Sequence, residues 1–157
     1  GYFPFGALML NERIETVFME SGPDGAIGHG YTYSGHPVGC AAALATLDVT
    51  FGQDLPGKAL ARGEQLMTSL KALQAEHEMI GDVRGKGLMV GIELVADRES
   101  KTPLDLQLGE ALADRVFAAG AMIRVTGNII IMSPPLVITE SEIDSLTQAL
   151  SVGFAGA

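Results

Sequence analysis

The stretch "MIGDVRGKGLMVGIELV" runs from Met79 to Val95. Apolar, β-branched residues flank a glycine-rich bend, which is the pattern of two strands joined by a tight turn. What surrounds this stretch decides the fold. Upstream, from about Leu55 to His77, Leu60, Leu66, Met67, Leu70 and Leu73 recur at helical spacing with charges opposite, which predicts an amphipathic helix. Downstream, "DRESKTPLD" (Asp97 to Asp105) reads as a polar loop. The span from about Leu106 to Ala119 then predicts a helix that stops at Gly120, a residue suited to the C′ position. "MIR" and "NIIIMSPP" read as a strand pair around Gly127 and Asn128. Thr139 with Glu142 three residues on forms a capping box, opening a last helix over about Glu140 to Phe154. From about residue 54 the order is therefore helix, strand, strand, helix, strand, strand, helix. That is an α+β arrangement, with helices covering one face of a small, mainly antiparallel sheet.

The first 53 residues have a different character. "GALML" (Gly6 to Leu10) is a short apolar run that predicts a buried strand. "NERIETVF" (Asn11 to Phe18) opens on an N-cap asparagine, with Ile14, Val17 and Phe18 at helical spacing. "MESGPDGAIG" (Met19 to Gly28) is a glycine and proline loop. "HGYTYSGHP" (His29 to Pro37) leads into an alanine-rich helix over about Pro37 to Phe51, with Pro37 in the first turn where its missing N–H costs nothing. The first 35 residues or so close no core of their own. Residues 1–53 and 54–157 are thus expected to be separate structural units.

The bulk numbers agree with a folded chain. It has 157 residues, 47% of them hydrophobic, so a sizeable core is expected and disorder is not. No apolar run approaches the ~18 residues of a membrane span. The net charge of −9 and the scattered lysines and arginines offer no basic face for a nucleic acid or an anionic membrane. A single cysteine, Cys40, can make no internal disulfide and points to a reducing, cytoplasmic setting. The opening "GYFPFGALML" lacks the charged n-region of a signal peptide and reads as the interior of a longer chain.

Four stretches could carry chemistry. Thr32, Tyr33 and Ser34 put hydroxyls just ahead of a helix N-terminus, where unpaired N–H groups favour an anion. From local sequence alone, the same residues read more simply as an ordinary turn and cap. His29 and His36 have no Asp, Glu or Cys at ligand spacing, so a turn or capping role is expected rather than a metal. "GDVRGKG" (Gly81 to Gly87) is too short for a phosphate-binding P-loop and has no Ser or Thr after its lysine. Arg124 sits among apolar residues on a predicted strand, from which its guanidinium would either clamp a carboxylate or lie on an ordinary surface.

"GYFPFGALML", "HGYTYSGHPVGCAAALATL", "DVRGKGLMVGIELV", "MIRVTGN" and "MSPPLVIT", in this order, resemble class III pyridoxal-phosphate aminotransferases, in particular the ω-amino-acid or amine:pyruvate transaminases. The resemblance covers essentially the whole chain. It implies fold type I, with 1–53 the end of the large α/β domain and its interdomain helix, and 54–157 the C-terminal small domain. It implies a homodimer in which Thr32 hydrogen-bonds the phosphate of the other subunit's pyridoxal 5′-phosphate, with Tyr31 beside the same phosphate and the substrate. It makes Arg124 the mobile arginine that holds the substrate α-carboxylate. The implied substrates are a small amine or ω-amino acid and a keto acid such as pyruvate.

Two departures accompany the resemblance. The family's Schiff-base lysine is expected a few residues ahead of "GYFPFGA", and none of Lys58, Lys71, Lys86 and Lys101 matches it. The aspartate that pairs with the pyridine nitrogen and the aromatic that stacks on the ring are expected upstream as well. The chain alone is therefore expected to hold no catalytic residue and to be an inactive fragment. Gly127–Asn128 stands where many relatives have Gly-Asp. The same scaffold also serves pyridoxal-phosphate decarboxylases and aminomutases. A rival reading takes the chain as a non-catalytic module that makes dimer or partner contacts.

Overall fold

The computed structural model describes residues 2–25 and 28–156. The chain splits into two compact units, Gly1–Gln53 and Asp54–Ala157.

The first unit holds two helices. Helix α1 (Glu12–Glu20) begins as its sequence requires, with the Asn11 side chain accepting from the Ile14 N–H. A single 3-10 turn follows at Gly22–Gly25, inside the expected glycine and proline loop; Ala26 and Ile27 of that loop lie outside the described residues. Helix α2 (Pro37–Gly52) has Pro37 in its first turn and His36 as its N-cap. "GALML" departs from expectation. It forms no strand, and Leu8 and Met9 are almost fully exposed. A strand needs a neighbour for its N–H and C=O groups, and the described residues of this unit supply none.

The second unit carries the core. Helix α3 (Leu55–Glu76) is followed by strands β1 (Ile80–Lys86) and β2 (Met89–Asp97). A two-residue strand β3 (Thr102–Pro103) lies within the expected polar loop. Then come helix α4 (Leu106–Ala118), strands β4 (Arg124–Thr126) and β5 (Ile129–Met132), and helix α5 (Glu140–Ala155). The sheet order is β1-β2-β5-β4, with β3 on the side of β2, and every pair is antiparallel. This is the α+β layer that the sequence predicts.

Side-chain alternation explains the sheet's two faces. Val90, Ile92 and Leu94 of β2 and Ile130 and Met132 of β5 are buried with Leu66, Leu70, Leu112, Val116, Ile143, Leu150 and Phe154 of the helices. On β1, Ile80 and Val83 are both buried although three residues apart. A register shift between Ile80 and Asp82 reconciles this with strand geometry. Helix α3 buries Leu55, Gly63, Leu66, Leu70 and Leu73, but Leu60 of the expected stripe is exposed. Gly63 takes the inward position instead. A Cβ there would lie 2.3 Å from the Gly87 backbone, so α3 crosses the β1–β2 turn glycine on glycine.

Candidate functional site

The hydroxyl-rich stretch is organised by Phe3, His36 and Gly39. The Phe3 ring stacks on His36 with centroids 5.3 Å apart. It lies so close to Gly39 that a Cβ there would meet the ring at 2.5 Å. His36 in turn accepts from the Gly39 N–H through Nδ1 at 3.4 Å and packs edge-on against Tyr33. The capping role expected for His36 is therefore what it performs. Between His29 and His36 the chain makes a tight turn: Ser34 N–H donates to Tyr31 O, and the Tyr31 N–H donates to Ser34 Oγ at 3.0 Å.

These bonds change what the stretch offers an anion. Ser34 spends its hydroxyl on its own turn, and a helix-terminal amide is spent on His36. Thr32 differs. It is exposed, and its hydroxyl has no hydrogen-bond partner among the described residues. Tyr31 and Tyr33 beside it are also exposed. The stretch thus presents the outward hydroxyls of Thr32, Tyr31 and Tyr33 rather than a closed cradle. That fits one edge of a phosphate site completed by other residues.

Arg124 lies in the second unit. It opens β4, the outermost strand, opposite Ile131 of β5. Ile131 faces Gly91 of β2, and Gly91 faces Arg84 of β1, so the two arginines end one row across the open face of the sheet. Their circumstances are opposite. Arg84 is bonded to Asp82 at 3.0 Å and to Glu93 at 2.6 Å, and these two carboxylates, Asp82 first, raise its pKa above the ordinary guanidinium value. Arg62 pairs with Glu140, Arg98 bonds the carbonyls of Gln74, His77 and Ile80, and Arg115 bonds Gly153 O. Of the arginines in this unit, Arg124 alone has no side-chain hydrogen bond or ion pair among the described residues.

Arg124 lines an open cavity of about 720 Å³. Met122, Ile131, Pro134, Ile138 and Leu146 contribute to its wall, and no acidic side chain does. Arg124 is exposed at this cavity, and an unpaired guanidinium offers its planar fork of donors to an anion. A second cavity, about 680 Å³ beside Phe18 and Pro23, holds none of the expected site residues. No group of three His, Cys, Asp or Glu suited to a metal occurs among the described residues. Among the described residues no helix is long and apolar enough to cross a membrane.

Thr32, Tyr31 and Arg124 stand out in the sequence; Asn128, whose side chain bonds Leu94 O, does not. Its signal was present only as the turn dipeptide Gly127–Asn128.

Comparison with known proteins gives these features a family. The model of the class-III aminotransferases matches residues 1–153, and the chain belongs to that family. An uncharacterized aminotransferase, y4uB, of Sinorhizobium fredii is 44% identical over 92% of this chain and 32% of its own length. A probable gamma-aminobutyrate transaminase 4 of Oryza sativa subsp. japonica is 36% identical over 92% of this chain and 31% of its own length. Among solved structures, an amine transaminase from an uncultivated Pseudomonas species, in its PLP-bound form, superposes with a TM-score of 0.87 at 43% identity over 93% of this chain and 34% of that one. The fold is accordingly that of part of a fold type I enzyme. The chain spans about a third of the length of the curated relatives it matches.

Proposed function

We propose that the whole protein transfers an amino group between an amine or ω-amino acid and a keto acid such as pyruvate, with pyridoxal 5′-phosphate as cofactor. The observation that carries this reading, beyond family membership, is Arg124: a guanidinium without a partner among the described residues, beside an apolar cavity free of acidic side chains. It holds the carboxylate of the keto acid in a bidentate pair and orients the carbonyl. Pyridoxal phosphate, when bound, supplies the electron sink for the reaction. Thr32 donates its hydroxyl to the cofactor phosphate of the other subunit in a homodimer, and Tyr31 packs beside that phosphate. The outward-facing, unused Thr32 hydroxyl supports this assignment, as do the exposed Val38, Leu44, Leu47 and Phe51 of α2.

In this reading 1–53 is the end of the large domain and 54–157 the small domain. In this reading none of Lys58, Lys71, Lys86 and Lys101 is the family's Schiff-base lysine. The chain alone therefore turns over no substrate and forms no covalent cofactor adduct that borohydride traps. The single cysteine supports a cytoplasmic setting.

The test is rapid mixing of the whole protein, with each half-reaction followed by absorbance. Arg124→Ala should weaken the keto-acid half-reaction about 10- to 100-fold, the cost of a lost charged hydrogen-bond pair. The half-reaction of an amine without a carboxylate should suffer far less. Equal losses in both would refute the clamp, and no spectral change with any amine would refute amino transfer.

A further inference from the structure

We propose that Asn128 is a positioning residue for Arg124: it ties the tip of the β4–β5 hairpin to β2 and so sets how well the guanidinium meets a carboxylate. The inference rests on the reading of Arg124 given above.

The hairpin needs such a tie. Strand β4 has three residues, lies at the edge of the sheet and pairs only with β5 among the described residues. Its turn is Gly127–Asn128, closed by the pair Thr126 and Ile129. Gly127 has φ +60°, and positive φ at the first central residue is what a two-residue type II′ turn demands. The ladder of β5 on β2 runs from Val90–Met132 to Glu93–Ile129 and would stop there. Asn128 carries it one step further. The Leu94 N–H donates to Asn128 O at 2.7 Å, and Asn128 Nδ2 donates back to Leu94 O at 2.9 Å.

The anchor is rigid. The Leu94 side chain is fully buried in the core, and its backbone also pairs with β1. One residue thus fixes the hairpin tip to the middle of the sheet, and Arg124 stands two pairs back along the same short ladder. A bidentate pair tolerates displacement of only about 0.5 Å. Loss of the Asn128 side chain leaves the Leu94–Asn128 backbone bond and the pairing of β5 with β2 in place, so Arg124 loses alignment before the fold loses its core.

The experiment uses the whole protein and four variants: Arg124→Ala, Asn128→Ala, Asn128→Asp, and Asn128→Ala combined with Arg124→Ala. Half-saturation and limiting rate are measured for pyruvate and, separately, for 1-phenylethylamine, with thermal melts alongside. Asn128→Ala should raise pyruvate half-saturation about fivefold, the worth of one hydrogen bond. The limiting rate, and the reaction with the amine, should stay within about twofold. Asn128→Asp, of equal size but with an acceptor oxygen against Leu94 O, should do at least as much. Added to Arg124→Ala, the Asn128 change should have no further effect, because it acts through that side chain. Additive losses, equal losses for amine and keto acid, an unchanged half-saturation, or insolubility of both single Asn128 variants would each overturn the proposal. If Arg124→Ala itself leaves pyruvate half-saturation unchanged, it is the clamp reading that fails. A normal Arg124 effect with additive Asn128 losses overturns only the positioning role.

Discussion

Thr32 and Ser34 are two residues apart in one turn, yet they are not equivalent. The Ser34 hydroxyl accepts from the Tyr31 N–H and is bound into the turn, while the Thr32 hydroxyl points outward unused. If it donates to a cofactor phosphate, its removal loses one charge-assisted bond of about 1.5–3 kcal/mol. Thr32→Ala should then raise the cofactor dissociation constant of the whole protein about 10- to 100-fold, measured by equilibrium dialysis, and change turnover at saturating cofactor much less. Thr32→Ser should restore most of the affinity, and unchanged cofactor affinity in Thr32→Ala would remove Thr32 from the site. In the sequence Thr32 and Arg124 stand out, as hydroxyls crowding a helix mouth and a cation in an apolar strand, but local pattern leaves a plain cap and a plain surface open and only the family resemblance assigns them roles. Asn128 was not visible, because its meaning lies in a bond to Leu94, 34 positions away. The pairing of Arg84 is hidden for the same reason, since its partner Glu93 sits across a hairpin.

At the scale of elements, what could be read was what is local. The caps at Asn11 and Thr139, Pro37 in a first turn and Gly120 after α4 all stand where their chemistry placed them. What failed were the strand at "GALML" and the inward place of Leu60, both settled by distant neighbours. The Asp54 cap, a non-glycine residue at φ +48°, also went unread. The capping box of α5 supplies a pH-dependent test. The Glu142 carboxylate accepts from the Thr139 N–H at 2.8 Å and from the Thr139 hydroxyl, and these bonds, the backbone one foremost, lower its pKa below the ordinary 4.5. A lowered carboxylate pKa means the bond stabilises fully above the ordinary value and is lost as pH falls through the lower folded value. Thr139→Ala should cost about 1 kcal/mol near neutrality, the usual worth of an N-cap. Glu142→Gln should flatten the decline of the urea midpoint between about pH 5 and pH 2, because it no longer titrates. A decline as steep as in the parent protein would show that the box does not contribute to acid unfolding.

At the scale of the whole chain, burial is divided unequally. Every hydrophobic residue buried among the described ones lies between Leu55 and Phe154. In the first unit Gly39 alone is buried on α2, and no residue of α1 is. Helical propensity does not compensate, because isolated helices shorter than about 12–15 residues are marginal in water and longer ones gain most of their stability from packing. Amide exchange should therefore split the chain at residue 53. In the 157-residue chain, amides of β2, β5 and α3 should exchange only through global unfolding, while those of α1 and α2 exchange orders of magnitude faster through local opening. Residues 54–157 expressed alone should retain one cooperative melt, since they contain all of that core. In the whole protein the proposed dimer covers α2, so its amides should become as slow as those of β2. Slow exchange of α2 in the 157-residue chain itself would contradict the exposure of Val38, Leu44 and Phe51. Fast exchange of α2 in the whole protein would instead leave that apolar helix without a covering surface, and with it would go the support for a partner subunit reached by Thr32.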